Sequence, residues 1–139
     1  MKVNKKGLYI AIFILYVAVL LYGTVIMRES PRRVMIYPHL FWGYKVDNPD
    51  ILYRDNLINI LLYIPIGCLV GLIAPKYKIP AAMLVGLFLS ETVEISQLIW
   101  RKGTFDVDDL FNNTVGALVG GLIVVMTLWI WKKGKNSHV

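Results

Sequence analysis

Four long apolar stretches divide this chain, at about residues 7–27, 57–74, 81–100 and 110–131. A helix needs roughly 20 apolar residues to cross ~30 Å of hydrocarbon. Within lipid the backbone groups must find partners inside their own segment, which favours helices, and no strand-like alternation competes with that interpretation. The pattern therefore predicts an all-α integral membrane protein with four transmembrane helices.

The connections between these stretches predict how the helices are arranged. Residues 75–80 and 101–109 are short links, so the second, third and fourth helices should be antiparallel neighbours in a compact bundle. Glycine pairs spaced four residues apart, Gly67/Gly71 and Gly116/Gly120, allow close helix approach. We expect packing within one bundle rather than a dimer face, although an oligomer stays possible. Residues 28–56 form the one sizeable loop, and residues 1–139 form a single domain.

Composition agrees with a membrane protein, since 57% of the 139 residues are hydrophobic and the mean hydropathy is +0.59. The net charge of +6 could suggest nucleic acid, but its distribution argues against that partner. Eight lysines and no acid fall at the termini and the 75–80 link, whereas the other two loops mix seven basic with seven acidic residues. This bias predicts that both termini are cytoplasmic and touch membrane lipids. The first span resembles a signal peptide but is too long and lacks a cleavage site.

Two carboxylates interrupt the third apolar stretch. Glu91, Glu94 and Gln97 are spaced three residues apart, which predicts one shared helix face. An ionisable group in hydrocarbon is unfavourable by a few kcal/mol, so it usually pairs or has a function. We therefore expect a polar site at mid-depth in the bundle.

Polar residues from other segments should reach the same region. They are Asn59 near the start of the second helix, Arg101 and Asp106 in the third link, and Asp109 and Asn113 at the start of the fourth helix. Together they predict a polar pocket open to the outer side of the membrane. The alternative is purely structural: Glu94 could pair with Arg101 or bind asparagines, and Asp106, Asp108 or Asp109 could cap the fourth helix.

Aromatic residues are concentrated in the long loop, at Tyr37, Phe41, Trp42 and Tyr44. Such residues suit the headgroup region of a membrane. The loop could lie on the outer leaflet, or it could form a lid over a site between the helices. The sequence leaves both interpretations open.

Three motifs carry a resemblance to the VanZ family over residues 54–121, about half of the chain. They are Asn59-Ile-Leu-Leu-Tyr-Ile-Pro65-Ile-Gly67, then Glu94-Ile-Ser-Gln97, and finally Arg101 with Phe105-Asp106-Val107-Asp108-Asp109 and Asn113-Thr-Val-Gly116 leading to Gly120. Glu91 departs from the family pattern, which often has a small neutral residue there. The resemblance implies the cytoplasmic membrane of a Gram-positive bacterium and low-level resistance to the lipoglycopeptide teicoplanin.

Three functions follow from these residues. A binding protein would hold a lipid-linked envelope precursor or a lipoglycopeptide. Arg101 and Arg54 would contact its anionic groups, and its polar atoms would contact Asn59, Glu94, Gln97 and Asn113. An enzyme acting on a lipid headgroup would use Glu94, Asp109 or Glu91 as acid or base. A proton-coupled transporter ranks last, because four spans are few. No cofactor is predicted, although Glu94 and Asp109 could hold a divalent cation through oxygen ligands.

Overall fold

The computed structural model describes residues 4–30, 35–42, 44–45 and 56–136. Four α-helices dominate this part of the chain and confirm the all-α prediction. Their bounds are α1 Lys5–Leu21, α2 Leu57–Ile73, α3 Lys78–Ile99 and α4 Val107–Asn136, and a π-helical turn, Tyr22–Ile26, extends α1.

Burial in this bundle is reversed relative to a water-soluble protein. Large apolar side chains such as Leu15, Leu84 and Trp129 are 62–67% exposed, whereas Glu94 and Gln97 are 1–2% exposed. Three segments, Lys5–Ile26, Lys78–Ile99 and Val107–Asn136, are long and apolar enough to cross a membrane, and α2 is a shorter apolar helix of 17 residues. Apolar surface on the outside with polar groups inside is the arrangement expected of a membrane protein.

The helices alternate in direction along the chain. Gly86 faces Ala117 and Gly121 faces Ala82, so α3 and α4 are antiparallel. Gly67 also faces Ala117, while Gly116 faces Ile60, so α2 and α4 run in the same direction. The end of the bundle that holds the α3–α4 connection also holds the end of the π-helical turn and the start of α2. Which side of the membrane this end faces stays a prediction.

Glycines allow α2 and α4 to make the most extensive helix contact in the bundle. A Cβ on Gly67 would overlap the Ala117 carbonyl, and one on Gly120 would overlap the Ile64 carbonyl. Because the obstructing atoms belong to the backbone, no rotamer change could relieve the overlap. The prediction that these glycines pack within one bundle is therefore confirmed.

Polar contacts tie the apolar half of the bundle. The Lys78 ammonium donates to the carbonyls of Gly71 and Ala74 at 2.7 and 2.6 Å, which satisfies two carbonyls at the C-terminal end of α2. The Tyr16 hydroxyl donates to the Leu62 carbonyl at 2.9 Å and joins α1 to α2. Pro65 lies within α2 and has no N–H, so the helical hydrogen bond to the carbonyl of Leu61, four residues earlier, is absent.

Two details differ from the sequence prediction. Helix α4 begins at Val107 and ends at Asn136, several residues beyond the predicted apolar span at both ends. A short parallel pairing, which the sequence did not indicate, joins β1 (Ile36–Tyr37) to β2 (Phe105–Asp106). It brings the long loop to the start of α4.

Replacing Gly120 by Ala tests the α2–α4 contact. We expect the free energy of unfolding in detergent to fall by about 1–3 kcal/mol, because the added methyl group has no space among the backbone atoms of α2. Gly134→Ala in the same helix is the matched control. Its Cβ would meet nothing, so stability should rise by up to about 1 kcal/mol. Equal effects of the two substitutions would contradict the close contact.

Candidate functional site

The buried polar side chains of the described residues lie in the half of the bundle that holds the α3–α4 connection. Two of these residues are charged, Glu94 and Asp108, and the rest carry amides or a hydroxyl. They are Asn56, Ser90, Glu94, Gln97, Asp108, Asn112 and Asn113. Buried polar groups need hydrogen-bond partners, so the contacts within this set define the site.

Glu94 lies at the centre of the set. Its Oε2 accepts a hydrogen bond from the backbone N–H of Asp106 at 3.0 Å, and the charges of Asp109 and Arg28 act on it. The Asp109 carboxylate accepts from Asn59 Nδ2 at 2.5 Å, which links α4 to α2. The structure thus brings three other predicted site residues, Asn59, Asp106 and Asp109, close to the Glu94 carboxylate of α3.

Asp106 organises the start of α4. Its Oδ1 accepts from the backbone N–H of Asp108 at 2.9 Å, which is the N-cap hydrogen bond. Its Oδ2 accepts from the Trp42 indole N–H at 2.9 Å. One carboxylate therefore caps α4 and anchors the long loop, so the structural role predicted for Asp106 is present within the candidate site.

The floor of the site contains hydroxyl and amide groups. Asn113 Nδ2 donates to Ser90 Oγ at 2.8 Å across the α3–α4 contact. Asn113 Oδ1 and the Tyr63 hydroxyl make no well-formed hydrogen bond, although Tyr63 lies near Ser90 and Glu94. Tyr63 is 2% exposed and Asn113 is 4% exposed. Buried polar atoms without partners are unfavourable, and they are common where a ligand or water binds.

Gln97 occupies the edge of the site towards α1. Its Oε1 accepts from Arg28 Nη1 and its Nε2 donates to the Thr24 carbonyl, both at 2.9 Å. Gly103 packs directly on this amide, because a Cβ there would lie 2.5 Å from Oε1. The side chain of Gln97 is therefore held in one orientation by Thr24 of the π-helical turn, by Arg28 and by the α3–α4 connection.

Residues 35–42 and 44–45 of the long loop are called the strap below. It crosses the first turns of α4: the Phe41 backbone N–H donates to Asp108 Oδ1, and Tyr44 Oη donates to Asn112 Oδ1 at 2.5 Å. Asn112 Nδ2 in turn donates to Asn56 Oδ1 at 2.9 Å. These contacts favour the lid interpretation over a loop that lies only on the membrane surface.

Aromatic packing stabilises the strap. Tyr37 stacks on Trp42 with ring centroids 4.1 Å apart, and Phe41 meets Phe111 of α4 edge to face at 5.1 Å. Burial raises the pKa of Tyr44, and the negative charge of Asp108 raises it further. The Tyr44 hydroxyl therefore stays protonated at neutral pH and acts as a donor.

Two predicted site residues lie outside the cluster. Glu91 is exposed, so the prediction that it shares a face with Glu94 and Gln97 is wrong. Each three-residue step turns a helix by about 300°, so Glu91 and Gln97 point roughly 120° apart. Arg101 is also exposed, and its backbone has a positive φ of 53°.

Among the described residues, the cation that contacts the site is Arg28 rather than Arg101, and Arg54 lies outside the described part of the chain. Sequence reasoning missed Arg28 because its distance from Gln97 along the chain is 69 residues. The available signal was its position as the first charge after an apolar span.

The described residues hold no group of three or more His, Cys, Asp or Glu side chains arranged to hold a metal ion.

An α-helical membrane bundle with a buried polar site at one end is the class of protein that this geometry defines. A sequence profile described as VanZ/LLP1 matches residues 13–130, and the chain belongs to that family. It is 32% identical over 68 residues to Protein VanZ of Enterococcus faecium. The match covers 49% of this chain and 42% of that relative's length. No solved structure matches significantly.

Substituting Asp106 should affect the start of α4 and the strap separately. Asp106→Ala should lower the free energy of unfolding by about 1–2 kcal/mol through loss of the cap, and should shift the fluorescence of Trp42. Asp106→Asn keeps a capping oxygen but gives up the charge-assisted bond to Trp42. It should recover most of the stability while leaving the fluorescence shifted. An unshifted spectrum in both variants would contradict the Trp42 contact.

Tyr63→Phe removes only a buried hydroxyl that has no well-formed partner. We expect the free energy of unfolding to stay equal or to rise by up to about 1 kcal/mol, since the hydroxyl lies near Ser90 without a well-formed hydrogen bond. Tyr16→Phe is the control, because its hydroxyl donates to Leu62 and its removal should lower stability by about 1 kcal/mol. A larger loss in Tyr63→Phe than in Tyr16→Phe would show that the Tyr63 hydroxyl has a stabilising partner.

Proposed function

We propose that this protein contributes to lipoglycopeptide resistance, above all to teicoplanin, in the cytoplasmic membrane of a bacterium. It does so by binding a lipid-linked ligand of the outer leaflet through its buried polar site. Family membership supports the resistance role, and the apolar helices support a location in the membrane. In this proposal both termini are cytoplasmic, and the end of the bundle with the α3–α4 connection faces outwards.

The observation that carries the binding proposal is the unfinished hydrogen bonding around Asn113 and Tyr63. Asn113 Oδ1 and Tyr63 Oη are buried without well-formed partners, directly beside Glu94 and Ser90. A cluster that served only to lock helices together would be expected to satisfy its own polar atoms. These two oxygens could accept from the hydroxyl, amide or ammonium groups of a ligand headgroup.

The position of the strap over the start of α4 also supports the binding proposal. Asp106 and Asp108 hold it through Trp42 and the Phe41 backbone, so it covers the start of α4 next to Glu94. A cover fixed by a few hydrogen bonds can exclude water from a bound headgroup and can also open. A ligand carried in the membrane would reach the site from the lipid side while the strap shields it from the aqueous side.

An intramembrane enzyme is the second candidate. Glu94 lies next to Asp109, and two neighbouring carboxylates can divide the roles of proton donor and acceptor. Ser90 Oγ accepts from the Asn113 amide, so it is positioned by a neutral group rather than by a base that could activate it. Acid–base chemistry at Glu94 is therefore preferred over nucleophilic attack by Ser90. Within the described residues, no specific contact favours proton-coupled transport.

A susceptibility assay in a Gram-positive host tests the proposal. Wild-type protein and the Glu94→Ala/Asn113→Ala variant are expressed at matched levels and exposed to teicoplanin or vancomycin. We expect protection against teicoplanin alone, and we expect the double variant to lose it, because both buried polar contacts of the site are removed. Glu91→Gln is the matched control: it removes an exposed carboxylate from the same helix and should leave protection intact.

Two further variants separate charge from packing. Glu94→Gln keeps an oxygen that can accept from Asp106, whereas Glu94→Asp keeps the charge on a shorter side chain. Loss of protection in Glu94→Gln alone, at wild-type membrane levels, would show that the site needs the charge. Absence of protection by the wild-type protein would overturn the resistance role.

A further inference from the structure

A second surface feature, separate from the polar site, lies between α1 and α3. It is an apolar groove of about 350 Å³ formed by the end of α1, the π-helical turn and the last turns of α3. Its lining includes Ala18, Leu21, Val25, Thr92, Ser96 and Trp100. The hydroxyls of Thr92 and Ser96 donate to carbonyls of their own helix, so their polarity is already satisfied.

The dimensions of the groove suit a hydrocarbon chain. Each wall covers nine residues, from Ala18 to Ile26 and from Thr92 to Trp100, and the eight rises between them amount to about 12 Å of helix. The hydrocarbon of one leaflet is about 15 Å thick, half of a ~30 Å core. Both walls belong to candidate membrane spans, so the groove opens towards lipid rather than water.

A positive charge lies where the groove reaches the end of the span. Arg28 follows the lining residue Ile26 by two positions, and its side chain is exposed. One of its N–H groups donates to Gln97 Oε1, which holds the guanidinium against α3. A guanidinium has five N–H donors, so the others remain available to the oxygens of a phosphate.

We propose that this groove binds one acyl chain of an anionic phospholipid whose phosphate contacts Arg28. The apolar lining selects the chain, and the guanidinium selects a lipid with a net negative charge over a zwitterionic one. Trp100, at the same end of the groove, suits the interfacial region just below the headgroup. The groove shares no lining residue with the buried polar set, so the lipid site can be tested without changing Glu94 or Asn113.

Quenching of Trp100 fluorescence by brominated acyl chains tests the site. The full-length chain with Trp42, Trp129 and Trp131 replaced by Phe is reconstituted in phosphatidylcholine vesicles, and circular dichroism checks its helix content. Brominated phosphatidylglycerol is compared with brominated phosphatidylcholine at equal mole fraction. We expect a roughly threefold preference for the anionic lipid, the size of a partly exposed ion pair.

Arg28→Gln should reduce this preference to about one, whereas Arg101→Gln should leave it unchanged. The two substitutions remove the same charge at the same end of the span, but only Arg28 is held beside the groove by Gln97. Ser96→Phe should fill the groove and weaken the quenching of Trp100 by both lipids. Equal quenching by the two lipids in the chain that keeps Trp100 and has both arginines would overturn the proposal. An equal loss of preference in both arginine variants would also overturn it.

Discussion

The hydrogen bond from the backbone N–H of Asp106 to Glu94 is the interaction on which the polar half of the bundle depends. A carboxylate inside a membrane helix is unfavourable unless donors surround it, and the first N–H groups of a helix lack partners within that helix. Here the Glu94 carboxylate of α3 lies next to the start of α4, so the carboxylate gains a donor and the N–H group of Asp106 gains an acceptor. The contact also places Asp106 so that its own side chain can cap α4 and hold Trp42.

The glycines of α2 and α4 make this polar arrangement possible. Gly67, Gly116 and Gly120 let the two backbones approach until carbonyls lie where side chains would normally stand. The close approach carries Asn59 to Asp109 and places Tyr63 beside Ser90. A wider spacing would leave these groups too far apart for direct hydrogen bonds. The apolar half of the bundle thus determines the dimensions of the polar half.

Much of this organisation could be predicted from sequence because hydrocarbon imposes simple rules. Apolar length predicted the helices, and the buried positions of Glu94, Gln97 and Asn113 followed from polar residues on apolar segments. The prediction that Glu91 shares a face with Gln97 failed because each three-residue step shifts the side chain by about 60° around the helix. The two steps between them amount to about 120°. Arg101 is exposed and has a positive φ, a local backbone feature that sequence patterns do not report, and its place in the site stays a prediction.

The contacts of the strap and of Arg28 could not be predicted for a different reason. They join residues 64 to 69 positions apart, and no local periodicity encodes such pairs. Their partners, however, are all polar residues of α3, of the α3–α4 connection or of the first turns of α4. A buried polar group in a membrane protein therefore predicts that a partner exists without revealing which segment supplies it.

Gln97 connects the polar site to the surface that faces lipid. Its amide oxygen holds Arg28 and its amide nitrogen holds Thr24, while Glu94 lies one turn away on the same helix. A lipid phosphate on the other N–H groups of Arg28 would offset part of the positive charge that acts on Glu94. Because one amide side chain joins the two regions, the lipid around the protein can change the electrostatics of its buried site without entering it.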